Sequence, residues 1–320
     1  MITIHILKNN LIEKISLDEL NERKINEDSS NYKLWLDITD ISKEECEKIE
    51  KIFEIHHLVT EDLLNINTRI KIEEFKNYLF FVFYSIDKSQ NIHPVELDFI
   101  LNDKLLITNH KKPLESFDLL KSNPEKLIKL LNRGTDFLFH YLIDKEIDDF
   151  YPVLEKINET IEEMEDESID KPNKDLMGRI LNLKRKVNKI KKITLAQREK
   201  FSYLTKNELP FISKKSLPYF RDVYDHIIRA SDFADDSKEA ITNTYEIYMT
   251  TLSNNMNEAM KVLSIFATIS LPLAVISGIY GTNFDILPGA GFAQGFWMMI
   301  LAMILLSSSM IIFFKKRGWF

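Results

Sequence analysis

The sequence predicts an α/β domain that continues into long helices and ends in a hairpin of two membrane-spanning helices. Strand-like segments occur only before residue 136 of the 320, and helical periodicity dominates after it. Two runs near the end, Val262–Ile279 and Phe292–Phe314, contain no charged residue. We therefore expect an α/β domain over residues 1–135, a long-helix region with the start of a stalk helix over residues 136–260, and the hairpin with its tail over residues 261–320.

The first 135 residues combine strand and helix signals. The run Tyr78–Ile86 is aromatic and β-branched enough for a central strand. Asn102 and Asp103 form a hairpin-turn signal between two further strands. The predicted strands are Met1–Leu7, Tyr78–Ile86, Val95–Leu101 and Lys104–His110, and the predicted helices lie near Lys43–Phe53 and Thr60–Ile66.

Three long helical segments are predicted after the α/β domain. Apolar residues recur at helical spacing from Phe137 to Met164, and a second helix is expected at about Lys174–Leu204. The third segment begins at Tyr219 and contains no glycine or proline before Pro272. It predicts one helix of roughly 60 residues, or ~90 Å at 1.5 Å per residue, and a helix of this length usually packs in an oligomer. A break near Thr250–Asn255 is the alternative.

Each uncharged run is long enough to cross a bilayer, whose hydrocarbon core of ~30 Å needs about 20 helical residues. The spans are expected at about residues 262–281 and 292–314. The basic tail Lys315–Arg317 directly follows the second span, which indicates that the tail is cytoplasmic. Two spans return the chain to its starting side. We therefore expect a multi-pass protein of the cell (inner or plasma) membrane, in contact with lipid, with both termini cytoplasmic.

Charge, cysteine count and the absence of catalytic motifs argue against a nucleic-acid-binding protein, a disulfide-linked protein and an enzyme. The whole chain has a net charge of −7, and its last 60 residues carry +3. Residues 1–260 therefore carry −10. An acidic cytosolic region fits cation binding and argues against a nucleic-acid partner. The single cysteine, Cys46, excludes an intrachain disulfide. No zinc-protease, phosphate-loop or nucleophile-elbow motif is present, so we do not expect an enzyme.

One face of the predicted stalk helix continues into the membrane as a stripe of residues spaced by three or four. Such a stripe of small or aliphatic residues is typical of close helix packing. In a symmetric oligomer it would instead line a pore with hydrophobic rings that gate by dewetting. The stripe consists of Asn257, Met260, Leu263, Ala267, Leu271, Ala274 and Gly278.

The link between the two spans is short and begins with a polar motif. It is too short to fold alone, so it must cap the hairpin at the membrane face. Gly281 permits a tight helix end, and Asn283 offers an amide oxygen beside exposed carbonyls. Mg²⁺ dehydrates reluctantly, so a ring of such oxygens could bind the hydrated ion through its water shell.

These features resemble the CorA family of divalent-cation channels. The family signature is Gly-Met-Asn within Tyr-Gly-Met-Asn-Phe, and the segment Tyr280–Phe284 here reads Tyr-Gly-Thr-Asn-Phe. The resemblance covers nearly the whole chain. Met260–Tyr280 looks like the family's pore helix, Tyr219–His226 like its cytosolic stalk, and Glu61–Asn65 like its amino-terminal Glu-Asp-Ile-Leu segment.

The resemblance implies a funnel-shaped homopentamer in which the pore helices surround a central axis and the second spans lie outside them. Asn257 would form a polar ring near the inner end, and Leu263 and Leu271 would form hydrophobic constrictions. The residues of the outer mouth, where the selectivity ring is expected, would be Tyr280, Gly281, Thr282 and Asn283.

The resemblance also implies regulation by Mg²⁺. Asp62 and Asp222 match the acidic pair that binds a regulatory ion between adjacent subunits, and Glu61 and Asp144 match a neighbouring second site. Facing carboxylates repel each other unless a cation lies between them, so high internal Mg²⁺ would hold a closed state and low Mg²⁺ would free the subunits. Without the resemblance, the sequence favours a solvated surface charge for each of these acids.

The implied function is passive uptake of Mg²⁺, and of Co²⁺ or Ni²⁺, through a channel gated by intracellular Mg²⁺. Two departures from the family pattern stand at the mouth. Thr282 replaces the signature methionine, and Gly289 follows Pro288 where the family has an acidic residue. The alternatives are a ZntB-like zinc transporter of the same architecture and a membrane-anchored signalling or scaffold protein.

Overall fold

The computed structural model describes residues 2–20, 32–65, 68–87, 93–283, 287–288, 291 and 293–319. Four predicted features have a terminal residue outside the described residues: Met1 of the first predicted strand, Ile66 of a predicted helix, Phe284 of the polar motif and Phe292 of the second span. The chain forms two compact units. The first comprises Met1–Glu167 with Asn173–Tyr245, and the second comprises Ser168–Pro172 with Glu246–Phe320. The three predicted domain boundaries stay a prediction.

The first unit is built on a seven-stranded sheet in the order β2-β1-β3-β7-β6-β5-β4. Only β3 and β7 pair in parallel, and every other neighbouring pair is antiparallel. The strands are β1 (Ile2–Lys8), β2 (Leu11–Ile15), β3 (Lys33–Thr39), β4 (Lys71–Glu74), β5 (Leu79–Ile86), β6 (Pro94–Leu101) and β7 (Leu105–His110).

The predicted hairpin between β6 and β7 is confirmed. Asn102 Oδ1 accepts hydrogen bonds from the backbone N–H groups of Lys104 and Leu105, at 2.9 and 2.8 Å, which closes the turn. The sequence prediction misses β2, β3 and β4. The strands β2 and β4 are short edge strands of five and four residues, with charged side chains that hide the apolar pattern.

Helices cover both faces of the sheet. On one face, α1 and α2 pack Ile49, Val59 and Leu63 against alternate strand residues such as Ile107. On the other face Phe139 of α5 lies 4.6 Å from the ring of Phe81 and 5.1 Å from that of Phe99. The helices are α1 (Lys43–Phe53), α2 (His57–Leu64), α3 (Glu115–Lys121), α4 (Pro124–Arg133), α5 (Thr135–Asp148), α6 (Phe150–Asp170), α7 (Lys174–Lys206), α8 (Leu217–Tyr280) and α9 (Gly295–Lys316).

The prediction of one continuous helix from Phe137 to Met164 is wrong. The helix α5 ends at Asp148, and α6 begins at Phe150. The physical reason is Pro152, which has no N–H group to donate to the carbonyl of Asp148 and is favoured only in the first turn of a helix. Asp149 stands at the junction, and its N–H bonds to the carbonyl of Ile147.

The long helix α8 runs without interruption for 64 residues, so the alternative break near Thr250–Asn255 is wrong. Its length is about 96 Å at 1.5 Å per residue. Its first part belongs to the first unit, where Phe220 lies 5.5 Å from the ring of Phe139 and Ser237 Oγ donates to Asn158 Oδ1 at 2.7 Å. Its last part belongs to the second unit, with α9.

The second unit contains two helical segments that are long and apolar enough to span a membrane, within α8 and as α9. Almost none of their span residues is buried in the single chain. Large apolar side chains of a water-soluble helix would be buried in a core, so this exposure argues against a soluble core role. The residues Leu271, Leu305 and Trp297 are 69, 62 and 70% exposed.

Candidate functional site

The predicted stripe lies on the exposed side of α8. The opposite side of the helix holds the residues that are covered within the second unit. Ile265 is buried, and Lys261, Ile269, Pro272 and Ile276 are half-buried. All seven stripe residues from Asn257 to Gly278 are exposed.

The geometry of a helix separates these two faces. At about 100° of rotation per residue, the stripe from Met260 to Gly278 is centred about 155° from the face marked by Ile265. Asn257 lies about 75° off the stripe's centre line by the same measure. The stripe is therefore available to line a surface between copies of the chain, and Asn257 stands at its edge.

Hydroxyl groups within the first span bond to carbonyls of their own helix. Thr268 Oγ1 donates to the carbonyl of Ser264 at 2.7 Å, and Ser277 Oγ donates to that of Ala274 at 3.1 Å. This arrangement satisfies polar groups where no water is present. The span is thus self-contained in its hydrogen bonds and leaves an aliphatic and small-residue stripe free.

The polar motif closes the end of α8. The N–H of Gly281 donates to the carbonyls of Ser277 at 2.9 Å and Gly278 at 3.2 Å. A Cβ added at Gly281 would lie 3.1 Å from the Ser277 carbonyl oxygen, so a glycine allows this close turn. Tyr280 Oη donates to the carbonyl of Pro288 at 2.9 Å, which ties the following loop to the helix end.

Thr282 and Asn283 are both exposed at this end. Thr282 Oγ1 donates to the carbonyl of Ile279 at 2.7 Å. The amide of Asn283 follows directly after the last turn, where the carbonyl ends of a helix carry a partial negative charge. The oxygens at this end of α8 belong to neutral dipoles, which can attract a cation without the strong hold of a full negative charge.

Asp62, predicted to bind a regulatory ion, is paired with a lysine that the sequence reasoning missed. Lys71 Nζ lies 2.6 Å from Asp62 Oδ2 and 3.1 Å from Glu73 Oε1. Burial disfavours the charged ammonium, but the hydrogen bonds that it donates to these two carboxylates, together with their negative charges, outweigh burial and raise the pKa of Lys71. Glu61, on the same turn of α2, is exposed.

Asp144 lies in a group with two residues that the sequence reasoning also missed, Asp148 and His226. One ligand atom from each of the three lies within 4.8 Å of the others. His226 Nδ1 is 3.8 Å from Asp144 Oδ1 and 3.6 Å from Asp148 Oδ1. Asp222 stands one turn before His226, with its Oδ2 3.9 Å from His226 Nε2 and its side chain 67% exposed.

The electrostatics of this group favour an added positive charge. Burial, and then the charge of Asp148, raise the pKa of Asp144. Lys145 Nζ lies 2.6 Å from Asp148 Oδ2, and this hydrogen bond raises the pKa of Lys145. His226 Nδ1 is buried and has no hydrogen-bond partner among the described residues. Two carboxylates and an unsatisfied imidazole nitrogen form a set that a divalent cation could complete.

The sequence contains a pattern that could have identified Asp148 and His226. Asp144 and Asp148 are four residues apart on α5, and Asp222 and His226 are four apart on α8. Residues at this spacing share a helix face. The described contacts of the single chain do not bring Asp62 and Asp222 together, so their predicted pairing between subunits stays a prediction.

Known proteins match this chain in sequence and in structure over nearly its whole length. The sequence model of the family described as "CorA-like Mg2+ transporter protein" matches residues 30–316. The cobalt/magnesium transport protein CorA of Thermotoga maritima is 34% identical over 300 residues, which cover 91% of this chain and 84% of that protein. The complete structure of the CorA magnesium transporter from Methanocaldococcus jannaschii aligns with a TM-score of 0.84 at 22% identity, covering 100% of this chain and 99% of that one.

A cytoplasmic domain of ZntB is a more distant neighbour. The crystal structure of this domain from Vibrio parahaemolyticus aligns with a TM-score of 0.63 at 11% identity, covering 79% of this chain and 98% of that one. Such a likeness shows the fold alone, so the zinc alternative is not favoured. The α/β domain, the long helix and the two apolar helices agree with the predicted fold class. By its family-model match and its identity to a CorA protein, this chain belongs to the CorA family.

Proposed function

We propose that this chain is a membrane transporter that passes Mg²⁺ and Co²⁺ through a pore built from copies of α8. The family and the Thermotoga relative are named as transport proteins for these ions, and they are not named as enzymes. The structural observation that carries the proposal is the stripe on α8. It is exposed, lies opposite the covered face of the helix and ends at the carbonyl and amide oxygens of the mouth.

A ring of identical subunits gives the stripe its role. One α8 helix cannot enclose a path, whereas a closed cyclic assembly places the same residue of every copy around one axis. Rings of Leu263 and Leu271 would then exclude water in the closed state, and Asn257 would stand near the inner end. The resemblance implies an assembly of five copies. Ni²⁺ is a further ion that the same hydrated path would accept. Both termini are proposed to be cytoplasmic, with the basic tail on that side.

Regulation by a bound divalent ion is proposed at two places. At Asp62 an incoming ion must displace Lys71, so the lysine sets how much Mg²⁺ is needed. At Asp144, Asp148 and His226 the donor set fits a divalent cation, because an imidazole nitrogen suits Co²⁺, Ni²⁺ or Zn²⁺ and carboxylates suit Mg²⁺. Glu61 and Asp222 would complete these sites from neighbouring surfaces.

An ion that bridges these acids between subunits would favour the closed assembly by binding it more tightly than the open one. The two carboxylates that lie close together in the free chain, Asp144 and Asp148, supply the repulsion that a bound ion relieves. Feedback then follows without any additional domain, since the transported ion itself is the regulator.

The proposed function is tested by uptake into proteoliposomes that contain the full chain. Uptake of Mg²⁺, Co²⁺, Ni²⁺ and Zn²⁺ is compared with and without a pH gradient, for the wild type, Asn283→Ala and the matched control Asn188→Ala. Asn188 is an exposed asparagine on α7. We expect Asn283→Ala to lower uptake by on the order of ten-fold or more, because it removes one acceptor from every copy at the mouth.

Asn188→Ala should transport as the wild type does. Wild-type uptake that is absent for every ion would contradict transport, as the membrane-anchored scaffold alternative predicts. Uptake of Zn²⁺ alone, driven by a pH gradient, would restore the zinc alternative. Unchanged uptake in Asn283→Ala would contradict the position of the mouth.

A further inference from the structure

A cleft lies at the end of the sheet where the β1–β2 and β6–β7 turns meet the end of α4. It consists of two adjoining cavities of about 410 and 300 Å³, which share Lys33 and Asp103 in their walls. Binding sites for small molecules typically occupy ~300–1,000 Å³, so each cavity is large enough to hold part of a metabolite. None of the predicted pore or regulatory residues is among the described residues that line the cleft.

Arg133, the last residue of α4, lines the smaller cavity with a guanidinium that two rings hold in place. Its Cζ lies 3.9 Å from the ring centroid of Phe137 and 5.0 Å from that of Tyr219. Nη2 donates to Tyr219 Oη at 2.9 Å. Arg133 has no ion-pair partner among the described residues. The remaining N–H groups of this planar fork suit a phosphate or carboxylate, which accepts two parallel hydrogen bonds.

Lys33 supplies a second cation, in the wall that the two cavities share. Its Nζ donates to the carbonyls of Leu131 at 2.6 Å and Asn132 at 3.2 Å. An ammonium has three N–H donors, so one hydrogen remains for a ligand. Burial lowers the pKa of Lys33, although the charge of Asp136 opposes this shift. An anion bound beside this half-buried ammonium would therefore stabilise its charged form.

The cleft has an excess of positive charge within an acidic region, since residues 1–260 carry −10. Its walls hold three basic and two acidic side chains, which are Lys33, Lys104, Arg133, Asp103 and Asp136. Both carboxylate oxygens of Asp136 already accept backbone N–H groups, Oδ1 from Phe137 and Oδ2 from Ser213, each at 3.0 Å. These dipoles offset part of the charge of Asp136, so the smaller cavity favours an anion beside Arg133.

The larger cavity offers hydrogen-bond donors and acceptors. Asn9, Asn10 and Asn132 line it, and Asn132 Nδ2 donates to Asn10 Oδ1 at 2.9 Å. A side-chain amide carries an acceptor oxygen and two donor hydrogens, so it can match the edge of a nucleobase. Asp103 lines the same cavity, and a carboxylate can accept hydrogen bonds from ribose hydroxyls. The ring of Tyr32 in this wall gives a base a surface to contact.

We propose that this cleft binds a nucleoside phosphate. The phosphate accepts two parallel hydrogen bonds from Arg133 and one from the remaining hydrogen of Lys33, and the nucleoside lies in the larger cavity. The site belongs to the first unit and shares no described lining residue with the predicted pore or the predicted regulatory sites. It therefore gives the chain a ligand other than the transported ions.

The test measures binding by isothermal titration calorimetry on the full chain in detergent, with EDTA present to remove divalent cations. The probes are the mono- and diphosphates of adenosine, guanosine, cytidine and uridine. The references are the free nucleosides, inorganic phosphate and pyrophosphate. At least one nucleotide should bind about ten-fold more tightly than its nucleoside and than pyrophosphate. If no nucleotide binds more tightly than these references, the proposal is overturned.

Two variants and a matched control test the position of the site. Arg133→Lys keeps the charge but loses the planar fork, so it should weaken nucleotide binding about ten-fold and leave nucleoside binding unchanged. Asn132→Trp places a large ring at the larger cavity, so its nucleotide affinity should fall to that of pyrophosphate. Lys129→Met removes an exposed charge from α4 outside the cleft and should bind as the wild type does.

Wild-type nucleotide affinity in both Arg133→Lys and Asn132→Trp would overturn the proposal, because the nucleotide would then bind elsewhere. Equal weakening in Lys129→Met would also overturn it, because it would indicate general electrostatic attraction. Should Arg133→Lys unfold through loss of its contacts with Phe137 and Tyr219, Asn132→Trp alone decides. None of these measurements involves transport, so their failure would leave the proposed function unchanged.

Discussion

The sheet of the first unit and the first span of the second unit satisfy their polar side chains differently. In the sheet, buried polar side chains find partners on other strands: Trp35 Nε1 donates to Thr108 Oγ1 at 3.1 Å, and Thr108 Oγ1 donates to Asp37 Oδ1 at 2.6 Å. In the second unit, the hydroxyls of Thr268 and Ser277 bond to carbonyls of their own helix. Long-range pairing fixes one tertiary structure, whereas local pairing lets a helix exist in an environment that offers no hydrogen bonds.

Apolar side chains show the same contrast. Phe80, Phe99 and Leu106 of the sheet are fully buried, and Leu263 and Leu271 of α8 are each 69% exposed. Water drives the burial in the first unit. In the second unit the exposed leucines face either lipid or one another across an assembly, and the substitutions below separate these two surroundings.

The largest effect is expected from Leu271→Asn, with Leu305→Asn as its matched control. Both leucines are exposed and lie in a span, one on the stripe of α8 and one on α9. An amide in a hydrophobic constriction admits water, so the closed state should leak. We expect Mg²⁺ uptake at high internal Mg²⁺ to rise on the order of ten-fold in Leu271→Asn and to stay low in Leu305→Asn.

Flux measurements on vesicles preloaded with Mg²⁺ check this pair. If both variants leak equally, or neither does, the assignment of a constriction to Leu271 is wrong.

A smaller effect is expected from Lys71→Met in the first unit. Removing the ammonium 2.6 Å from Asp62 leaves that carboxylate without its partner, so a divalent ion no longer competes with a lysine. The Mg²⁺ concentration that protects the chain from limited proteolysis should fall on the order of ten-fold. Lys76→Met removes the same charge from an exposed residue nearby and should change nothing. Equal behaviour of the two variants would exclude Asp62 as a regulatory site.

The smallest effect concerns pH and Glu146, a buried carboxyl that accepts hydrogen bonds from Ser85 and Ser116. Burial raises the pKa of Glu146 above 4.5, although these hydrogen bonds oppose the shift. The folded chain then holds this proton more tightly than the unfolded chain does. The free energy of unfolding should therefore fall as pH rises from 4.5 through the raised pKa, and the contribution is most favourable at low pH.

Glu146→Gln should flatten this part of the pH profile, because glutamine cannot ionise. Its amide oxygen can accept from one of the two serines, and its NH2 group can donate to the hydroxyl oxygen of the other. Urea midpoints across the pH range check the slope in the wild type, in Glu146→Gln and in the exposed control Glu155→Gln. A slope in Glu146→Gln as steep as in the other two would assign the pH dependence to a different group.

The comparison of the units also explains how far the sequence could predict the fold. The helix α8 and the stripe were predictable because helical periodicity is local and needs no partner. The strand β3 was missed because Leu34–Ile38 is buried on both faces and includes Asp37, so it shows no alternation. The break after Asp148 was encoded by Pro152, whose effect is local and could have been recognised.

The residues of the candidate site also differ in whether local sequence or tertiary packing determines them. The residues of the predicted mouth follow one another in sequence, so the motif can be read without the structure, and their role stays a prediction. The partnership of Lys71 with Asp62 depends on how an edge strand lies beside α2, which no local pattern encodes. Asp148 and His226 were recognisable only as the second members of pairs spaced by four residues. Their meeting requires the packing of α5 against α8.

One consequence of α8 concerns the order of events during synthesis. The first unit needs residues up to Tyr245, because α8 supplies part of its core. The first span begins only a few turns later, at about Val262. A ribosome that has just completed the first unit therefore has only a few turns of α8 to add before the span begins, so folding of the first unit is followed closely by delivery of the span to the membrane. Because α8 contributes to both units, its synthesis couples folding of the first unit to the appearance of the span during translation.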